Sequence, residues 1–341
     1  DGTELDVPVW VRCAVTVKDD EMTLDFSGSD KQRKGFVNNT LPSTYSRAIA
    51  GSFLFFDPAL ADFHNEGSMM PVHIVAPEGS VVNAKYPATV GGSPVSVGTQ
   101  ILEATVMALS QAMPHKAIAC WGRHRGHYIF GTDPRTGERY VQTTFDSDGG
   151  AGAVSGYDGY EGACTFPTLG SVQRGNVEEV EIRFPWRIVR YHFVKDMSGA
   201  GKWRGGSGMY WEVLNVGSEG GMATGSSDGD QTQPPAAAGG MPGPLCSAYL
   251  DRDGERIAVK PHRMYQIHRG DLLVKISGGG SGVGNPHERE PEKVLNDVID
   301  GFISLEFAEK IYGVAIDADA MKIDWDKTRT LRAATAKESI K

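Results

Sequence analysis

The sequence predicts an α+β fold with a β-rich core, one long buried helix and a C-terminal helical hairpin. Three patterns support this prediction. Apolar residues alternate along "VWVRCAVTVK" near the start, as in a half-buried strand. A wide apolar stripe follows "VGTQILEATVMALSQAM", which is typical of a helix buried on most of its circumference. Two short segments with helix-capping residues lie close to the end.

The first elements are a hairpin and a helix. The alternation that begins at Val9 resumes after a polar turn at 19–21, where "MTLDF" supplies the second strand. From Ser43 the segment "STYSRAIAGSFLFF" is apolar on more than one side and predicts a largely buried helix. Further on, "MMPVHIVAPEGSVVNAKYP" predicts short strands interrupted by proline and glycine.

The middle of the chain is predicted to be rich in strands and loops. The long helix covers about residues 97–113 and is stopped by Pro114. Glycine and aspartate connections occupy 145–162, and "VEEVEIRFPWRIVRYHFV" is predicted to contribute strands. Proline and glycine crowd "SSDGDQTQPPAAAGGMPGP", which predicts a loop in spite of its alanines.

The C-terminal end is predicted to be helical. Gly301 is a plausible C-cap for a first helix and Ser304 a plausible N-cap for a second, which ends before Gly313. The first of these helices, in "EPEKVLNDVIDG", is expected to have one apolar face made of Val294, Leu295, Val298 and Ile299.

Length and composition describe a globular chain with three regions. The 341 residues are 40% hydrophobic and 23% charged, which is ordinary for a folded protein of roughly two domains. We divide the chain into a β-rich α+β region at 1–180, a β-rich region at 181–276, and a glycine-rich turn with a helical segment at 277–341.

Charge and hydropathy exclude several classes of partner. The net charge of −9 argues against a nucleic-acid surface, and no apolar run approaches the roughly 20 residues that span a bilayer. Four scattered cysteines without a CxxC pair favour reduced thiols in a cytoplasmic setting. These are Cys13, Cys120, Cys164 and Cys246.

The segment "SGGGSGVGNP" invites a nucleotide-loop interpretation that its spacing does not support. Gly279 and Gly284 have the separation of a P-loop, but Asn285 and Pro286 stand where lysine and a hydroxyl residue are required. No glycine triplet has the dinucleotide-binding spacing either. A close-packed turn between the apolar run "DLLVKI" and a helix is therefore the favoured interpretation.

Four ordered blocks resemble the hydantoinase B/oxoprolinase family. They are "LDFSGSD", "NEGSMMPVHIVAPEGSVVNAKYPATVGG", "SGAGKWRGGSGM" and the C-terminal "KISGGGSGVGNPHEREPEKVLNDVIDGFISLEFAEKIYGV". In the last block Asn285 replaces the family's usual aspartate, whereas the ending Tyr312-Gly313-Val314 is as expected. The resemblance spans nearly the whole chain.

The resemblance implies a protein that shares its chemistry with a partner. It implies that ATP and Mg²⁺ are handled by an A-type subunit in a hetero-oligomer, while the B-type chain contributes to a small-molecule site. The family's His- and Asp-containing N-terminal segment resembles a divalent-metal site. The present sequence is expected to lack that segment, so no metal ligands are transferred to it.

The cluster "CWGRHRGHYIFG" holds the first candidate site residues. Arg123 and Arg125 have the forked donors that bind a carboxylate or a phosphorylated intermediate, so both are assigned to substrate binding. His124 and His127 titrate near neutrality and are assigned to proton transfer. A solvated basic edge whose histidines bond to backbone is an equally good interpretation.

The loop "FDSDGGAGAVSGYDGYEG" holds the second set. Asp146 is assigned to catalysis, and Asp148 and Asp158 to substrate binding, because glycines allow close approach of a ligand. Oxygen ligation of a divalent ion is possible there, but ordinary turn chemistry is favoured. For "GAGKWRGG" a tight turn is favoured over anion binding by Lys202 and Arg204.

The sequence leads to three functional hypotheses. The first is a B-type subunit of an ATP-dependent enzyme that hydrolyses a cyclic amide of the hydantoin or 5-oxoproline type. The second is a subunit of an ATP-dependent ketone carboxylase of the acetone or acetophenone type. The third is a scaffold subunit without catalytic residues.

Overall fold

The computed structural model describes residues 7–123, 125–144, 149–163, 166–168, 175–227 and 229–338. Helices and strands alternate in short runs through that part of the chain, which confirms the predicted α+β class. The helices are α1 (Leu41–Phe53), α2 (Val97–Ala112), α3 (Val177–Arg183), α4 (Pro291–Ile299), α5 (Leu305–Tyr312) and α6 (Trp325–Glu338). The strands are β1 (Ala14–Lys18), β2 (Glu21–Asp25), β3 (Val72–Val75), β4 (Arg125–Thr132), β5 (Arg139–Thr144), β6 (Trp186–Phe193), β7 (Met209–Asn215), β8 (Gly220–Ser227), β9 (Ser247–Arg252), β10 (Glu255–Ala258), β11 (Met264–Ile267), β12 (Leu272–Ile276), β13 (Ile316–Asp317) and β14 (Lys322–Ile323).

The N-terminal unit is a three-stranded sheet packed on two helices. β2 lies in the middle, antiparallel to β1 and parallel to β3. Leu24 and Phe26 of the sheet side and Ile101 and Leu102 of α2 are fully buried in one apolar core. In α2 the apolar residues cover a broad arc, so most of this helix is enclosed. No helix among the described residues is long and apolar enough to cross a bilayer.

The central unit is a β-sandwich. One sheet has the order β10-β9-β12-β7-β6 and the other has the order β11-β8-β4-β5. Trp211 and Leu273 of the first sheet share a buried core with Ile129 and Met222 of the second. The loop predicted at 226–244 contains no strand or helix after β8 in its described residues.

The segment 177–183 was expected to be a strand and that prediction is wrong. It forms α3, because the side chain of Asn176 accepts hydrogen bonds from the N–H groups of Glu178 and Glu179. An asparagine N-cap followed by acidic residues stabilises the positive end of a short helix. The strand β6 begins only after this helix.

The glycine-rich turn is the packed centre of several extended segments. A Cβ atom on Gly280 would lie 1.9 Å from the Ala151 carbonyl oxygen, so only glycine fits there. The N–H groups of the turn bond to carbonyls of different neighbouring segments: Gly280 to Gly206, Ser281 to Cys120, Gly282 to Met241 and Val283 to Trp203. These donors are used inside the fold, in agreement with the close-packed turn favoured over a nucleotide loop.

The C-terminal helices follow the predicted caps with one correction. Ser304 accepts a hydrogen bond from the N–H of Phe307, and Gly313 ends α5 in the left-handed conformation, which confirms both predicted caps. The predicted apolar face of α4 is wrong at Ile299, whose side chain is 57% exposed. Asp297 takes the inward position instead, because two arginines pair with its carboxylate.

Candidate functional site

Two predicted site residues lie together at one end of the β-sandwich. His127 is fully buried in β4, and Arg123 lies just before this strand with 6% of its surface exposed. Arg125 is the first residue of β4. Three further predicted residues lie outside the described part of the chain: His124, Asp146 and Asp148.

The guanidinium of Arg123 is paired with a carboxylate of the long helix. Its Nη2 atom lies 2.7 Å from Oε2 of Glu103, which is 3% exposed. Two charges this deeply buried depend on each other, since removal of one leaves the other without compensation. Sequence reasoning missed Glu103. The available signal was a single carboxylate within the apolar stripe of α2.

A buried lysine lies next to these residues. Lys275 of β12 is fully buried, and its Nζ donates a hydrogen bond to Oγ1 of Thr144 at 3.0 Å. The ammonium also lies 4.1 Å from the ring centre of Trp211, which favours a cation through the ring quadrupole. Thr144 pairs with His127 across β4 and β5, so the lysine joins the two sheets.

The lysine occupies a core position because of strand alternation. Lys275 and Leu273 are two residues apart in β12 and therefore share its inward face. The run "DLLVKI" was treated as apolar, and its lysine was not identified as a candidate. We refer to the following six residues as the buried polar cluster: Glu103, Arg123, His127, Thr144, Cys246 and Lys275.

The two cysteines of this region serve as buried thiols. The thiol of Cys246 donates to the carbonyl of Arg123 at 3.0 Å and accepts from the N–H of Gly278 at 3.3 Å. Burial raises the pKa of Cys120 well above its ordinary value, and the charge of Glu103 raises this pKa further. A protonated thiol is a poor nucleophile, so these cysteines are better suited to packing and hydrogen bonding than to catalysis.

The predicted substrate ligand Asp158 belongs to a different group of charges. Its two carboxylate oxygens lie 2.7 and 2.8 Å from the guanidinium of Arg289, and the backbone N–H of Arg204 donates to it. Arg204 and Arg289 both bind Asp297, and Arg204 also binds Glu161. We call these five residues the arginine network.

The arginine network holds Asp158 in its charged form. Burial alone would raise the pKa of Asp158, but hydrogen bonds and charge from Arg289 and Arg204 lower it below its usual value. The network connects the loop at 158–161 to α4. These contacts give Asp158 a structural role, and its role in substrate binding stays a prediction.

Metal binding finds no donor set in this part of the chain. The residues that the structure describes contain no group of three or more His, Cys, Asp or Glu side chains that could hold a metal ion. The donors in the buried polar cluster are an arginine, a lysine and one carboxylate that is already paired. A cation does not fit this arrangement, and we derive no chemistry from a metal here.

A separate open groove lies between α1 and β3. It encloses about 960 Å³ and is lined by residues from α1, from the short 3₁₀ helix Glu66–Met69 and from β3. Its surface is mostly apolar, and two histidines reach it, His64 and His73. We refer to this feature as the β3 groove.

Comparison with known proteins identifies the family. A sequence model of the hydantoinase B/oxoprolinase family matches residues 1–286. This chain belongs to the hydantoinase B/oxoprolinase family. The resemblance inferred from the four sequence blocks is therefore confirmed.

Several curated members of the family are similar over most of this chain. A B-type subunit of a D-/L-hydantoinase from Pseudomonas sp. (strain NS671) is 31% identical over 332 residues, covering 94% of this chain and 55% of the relative. The beta subunit of the caprolactamase from Pseudomonas jessenii is 30% identical, covering 88% and 52% respectively. The chain thus spans about half the length of the curated relatives it matches. The acetophenone carboxylase delta subunit of Aromatoleum aromaticum is 28% identical over 54% of this chain and 31% of the relative.

Solved structures of two enzymes share the fold. The ATP-dependent caprolactamase from Pseudomonas jessenii superposes with a TM-score of 0.79 and 26% identity, covering 96% of this chain and 60% of that chain. The nucleotide-free acetone carboxylase superposes with a TM-score of 0.82, covering 96% and 48%. At 19% identity the second match shows the fold alone.

Proposed function

We propose that this chain is part of a B-type subunit of an ATP-dependent enzyme that hydrolyses a cyclic amide. The observation that carries the proposal is the similarity to the hydantoinase and caprolactamase chains, which covers 94% and 88% of the present chain. The carboxylase chain is similar over 54% of it. Hydrolysis of a hydantoin, a lactam or a 5-oxoproline ring is therefore favoured over ketone carboxylation.

An A-type partner supplies the nucleotide chemistry in this proposal. The glycine-rich turn supports this division of labour, because its N–H donors bond to carbonyls inside the fold. The amide oxygen would attack the γ-phosphorus of ATP and release ADP, and phosphorylation would make the amide carbon a better electrophile. Water would then attack that carbon, with release of phosphate and cleavage of the ring C–N bond. The free thiols of Cys13, Cys120 and Cys246 support a cytoplasmic setting.

The chain's own contribution would be a shaped and charged wall of the reaction cavity. Arg123 is proposed to bind the anionic intermediate and His127 to move a proton, as the sequence predicts. Both are buried beside Glu103 and Lys275, so a partner or a rearrangement must bring substrate to them. Asp146 remains part of the same proposal.

Reconstitution tests the proposal. The chain alone, the A-type subunit alone and the mixture are assayed for ATP-coupled ring opening of hydantoin, caprolactam and 5-oxoproline. We expect turnover only in the mixture, with one ADP formed per ring opened. Full activity from the chain alone would refute the division of labour. Product that requires both a ketone and bicarbonate would support carboxylation instead.

Conservative variants separate catalysis from scaffolding. Arg123→Lys and His127→Gln keep side-chain bulk in a buried site, and unfolding midpoints check that the fold survives. If these residues act in the reaction, kcat falls at least tenfold while the complex still assembles. Unchanged turnover in both variants, and in Asp146→Asn, favours the scaffold hypothesis.

A further inference from the structure

The β3 groove has the walls of a strand-binding site. One wall is a single face of α1, formed by residues spaced as on one side of a helix: Tyr45, Ser46, Ile49, Ala50 and Phe53. The facing wall is β3, with Val72, His73 and Ile74. Successive side chains of a strand point to opposite faces of its sheet. Three consecutive residues can line one groove only where the edge of the strand faces it.

The edge of β3 has free backbone groups. The carbonyls of Pro71 and Val75 accept hydrogen bonds from β2, so the residues between them in alternate register point away from β2. These are Val72 and Ile74. Within the described residues, no hydrogen bond engages their outward N–H and C=O groups. An unpaired edge of this kind is a template for another strand.

The groove has an acidic border. The segment 48–84 contains no Lys or Arg and carries four acidic residues, Asp57, Asp62, Glu66 and Glu78. Glu66 lines the groove itself, and Glu21 lies 3.6 Å from His73 on its opposite side. Apolar walls with an acidic border complement an apolar segment that carries basic residues.

We propose that the β3 groove binds a short extended segment of the A-type partner, which adds to β3 as a fourth strand. The α1 wall from 45 to 53 is about 12 Å long and β3 is about 13 Å long, which matches about four residues of extended chain. The bound segment presents apolar side chains to α1 and has a Lys or Arg next to Glu66. This inference rests on the proposed function, since it requires the A-type partner.

The surroundings of the groove extend the contact. Phe63 and Met70 flank it and are 76% and 77% exposed. Large exposed apolar side chains close together are typical of protein interfaces. A four-residue strand buries too little surface for a stable complex by itself, so it serves as one anchor of a larger interface.

Three variants of the full chain test this inference without entering the buried polar cluster. Ser46→Arg places bulk and positive charge in the groove from an exposed position on α1. Ile74→Pro removes an outward N–H that the ladder with β2 does not use. Glu66→Gln removes the acidic group. Gln111→Arg is the matched control, because it adds the same charge to an exposed helix position outside the groove.

The readouts are the Kd for the purified A-type subunit and the amide exchange of residues 70–76. We expect Ser46→Arg and Ile74→Pro to raise Kd at least tenfold, with Gln111→Arg unchanged. Binding by Glu66→Gln should depend less on salt than binding by the original chain. Amide exchange at 70–76 should slow when the partner is added, and circular dichroism of each variant checks the fold.

The possible failures are distinguishable. If the original chain binds no A-type subunit, the proposed function and this inference both fall. If it binds, but Ser46→Arg and Ile74→Pro bind within twofold of it, only this inference falls. Dimers of the chain alone that Ser46→Arg disrupts would assign the groove to a second copy and overturn the partner assignment.

Discussion

Replacing Arg289 by methionine is the sharpest test of how this fold is held together. The side chain of Arg289 is 1% exposed and makes four charge-assisted hydrogen bonds, two to Asp158 and two to Asp297. Arg289→Met keeps similar bulk but leaves Arg204 as the one guanidinium facing the three carboxylates of the arginine network.

The expected cost follows from the burial of these charges. Removing one member of a buried ion pair costs about 3–5 kcal/mol, because the remaining charge stays buried without its partner. Arg289→Lys keeps the charge but loses the forked geometry, so we expect a smaller loss of about 1.5–3 kcal/mol. Because the network joins α4 to the loop at 158–161, the C-terminal helices should separate from the rest at lower denaturant concentration.

Urea unfolding at pH 7, followed by circular dichroism, measures this cost. Lys310→Met is the control, since Lys310 pairs with Glu306 on the exposed surface of α5 and its removal should not move the midpoint. An unfolding free energy for Arg289→Met within about 1 kcal/mol of the original chain would refute the argument. It would mean that the carboxylates of the network are solvated or protonated in the folded state.

Three further predictions use the same structure. Gly280→Ala should prevent folding, because its Cβ would lie 1.9 Å from a backbone carbonyl oxygen, whereas Gly28→Ala, with its nearest atoms at 3.5 Å, should express and fold normally. Cys120 and Cys246 should resist a thiol reagent at pH 8 in the native protein and react once urea unfolds it, since both are buried. The stability difference between the original chain and Asp158→Asn should be constant at neutral pH. It should shrink as pH falls below about 4, because a lowered folded-state pKa gives stability that is present above the unfolded-state pKa and lost on protonation.

Local patterns in the sequence were sufficient for elements with a strong period or a cap. The alternation of "MTLDF", the stripe of α2 and the caps at Ser304 and Gly313 depend on neighbours in sequence, so they could be identified without a structure. The same reasoning failed at α3, where the N-cap Asn176 outweighed an apolar run that resembles a strand. Ile299 was misplaced because pairing across the fold, and not hydropathy, decides which residue of α4 is buried.

The site was less predictable because its contacts join distant parts of the chain. Arg123 and His127 are close in sequence and were found together, but Glu103 and Lys275 reach them from a helix and from the opposite sheet. A charged residue inside an apolar period signals either an error in the assignment or a buried partner. Glu103 and Lys275 are two such residues, and scanning for them would have identified half of the charged groups in the cluster.

The distribution of charge accounts for why a member of this family depends on another subunit. The arginine network saturates its guanidinium groups with the chain's own carboxylates, and Arg123 is paired with Glu103 in the same way. The N–H donors that could hold a phosphate are bonded to neighbouring carbonyls in the glycine-rich turn. Groups that are satisfied internally give the chain a rigid shape but leave few donors for a nucleotide. We therefore expect mutations in the β3 groove to affect ATP-coupled turnover through loss of the partner, with normal kcat restored at high partner concentration.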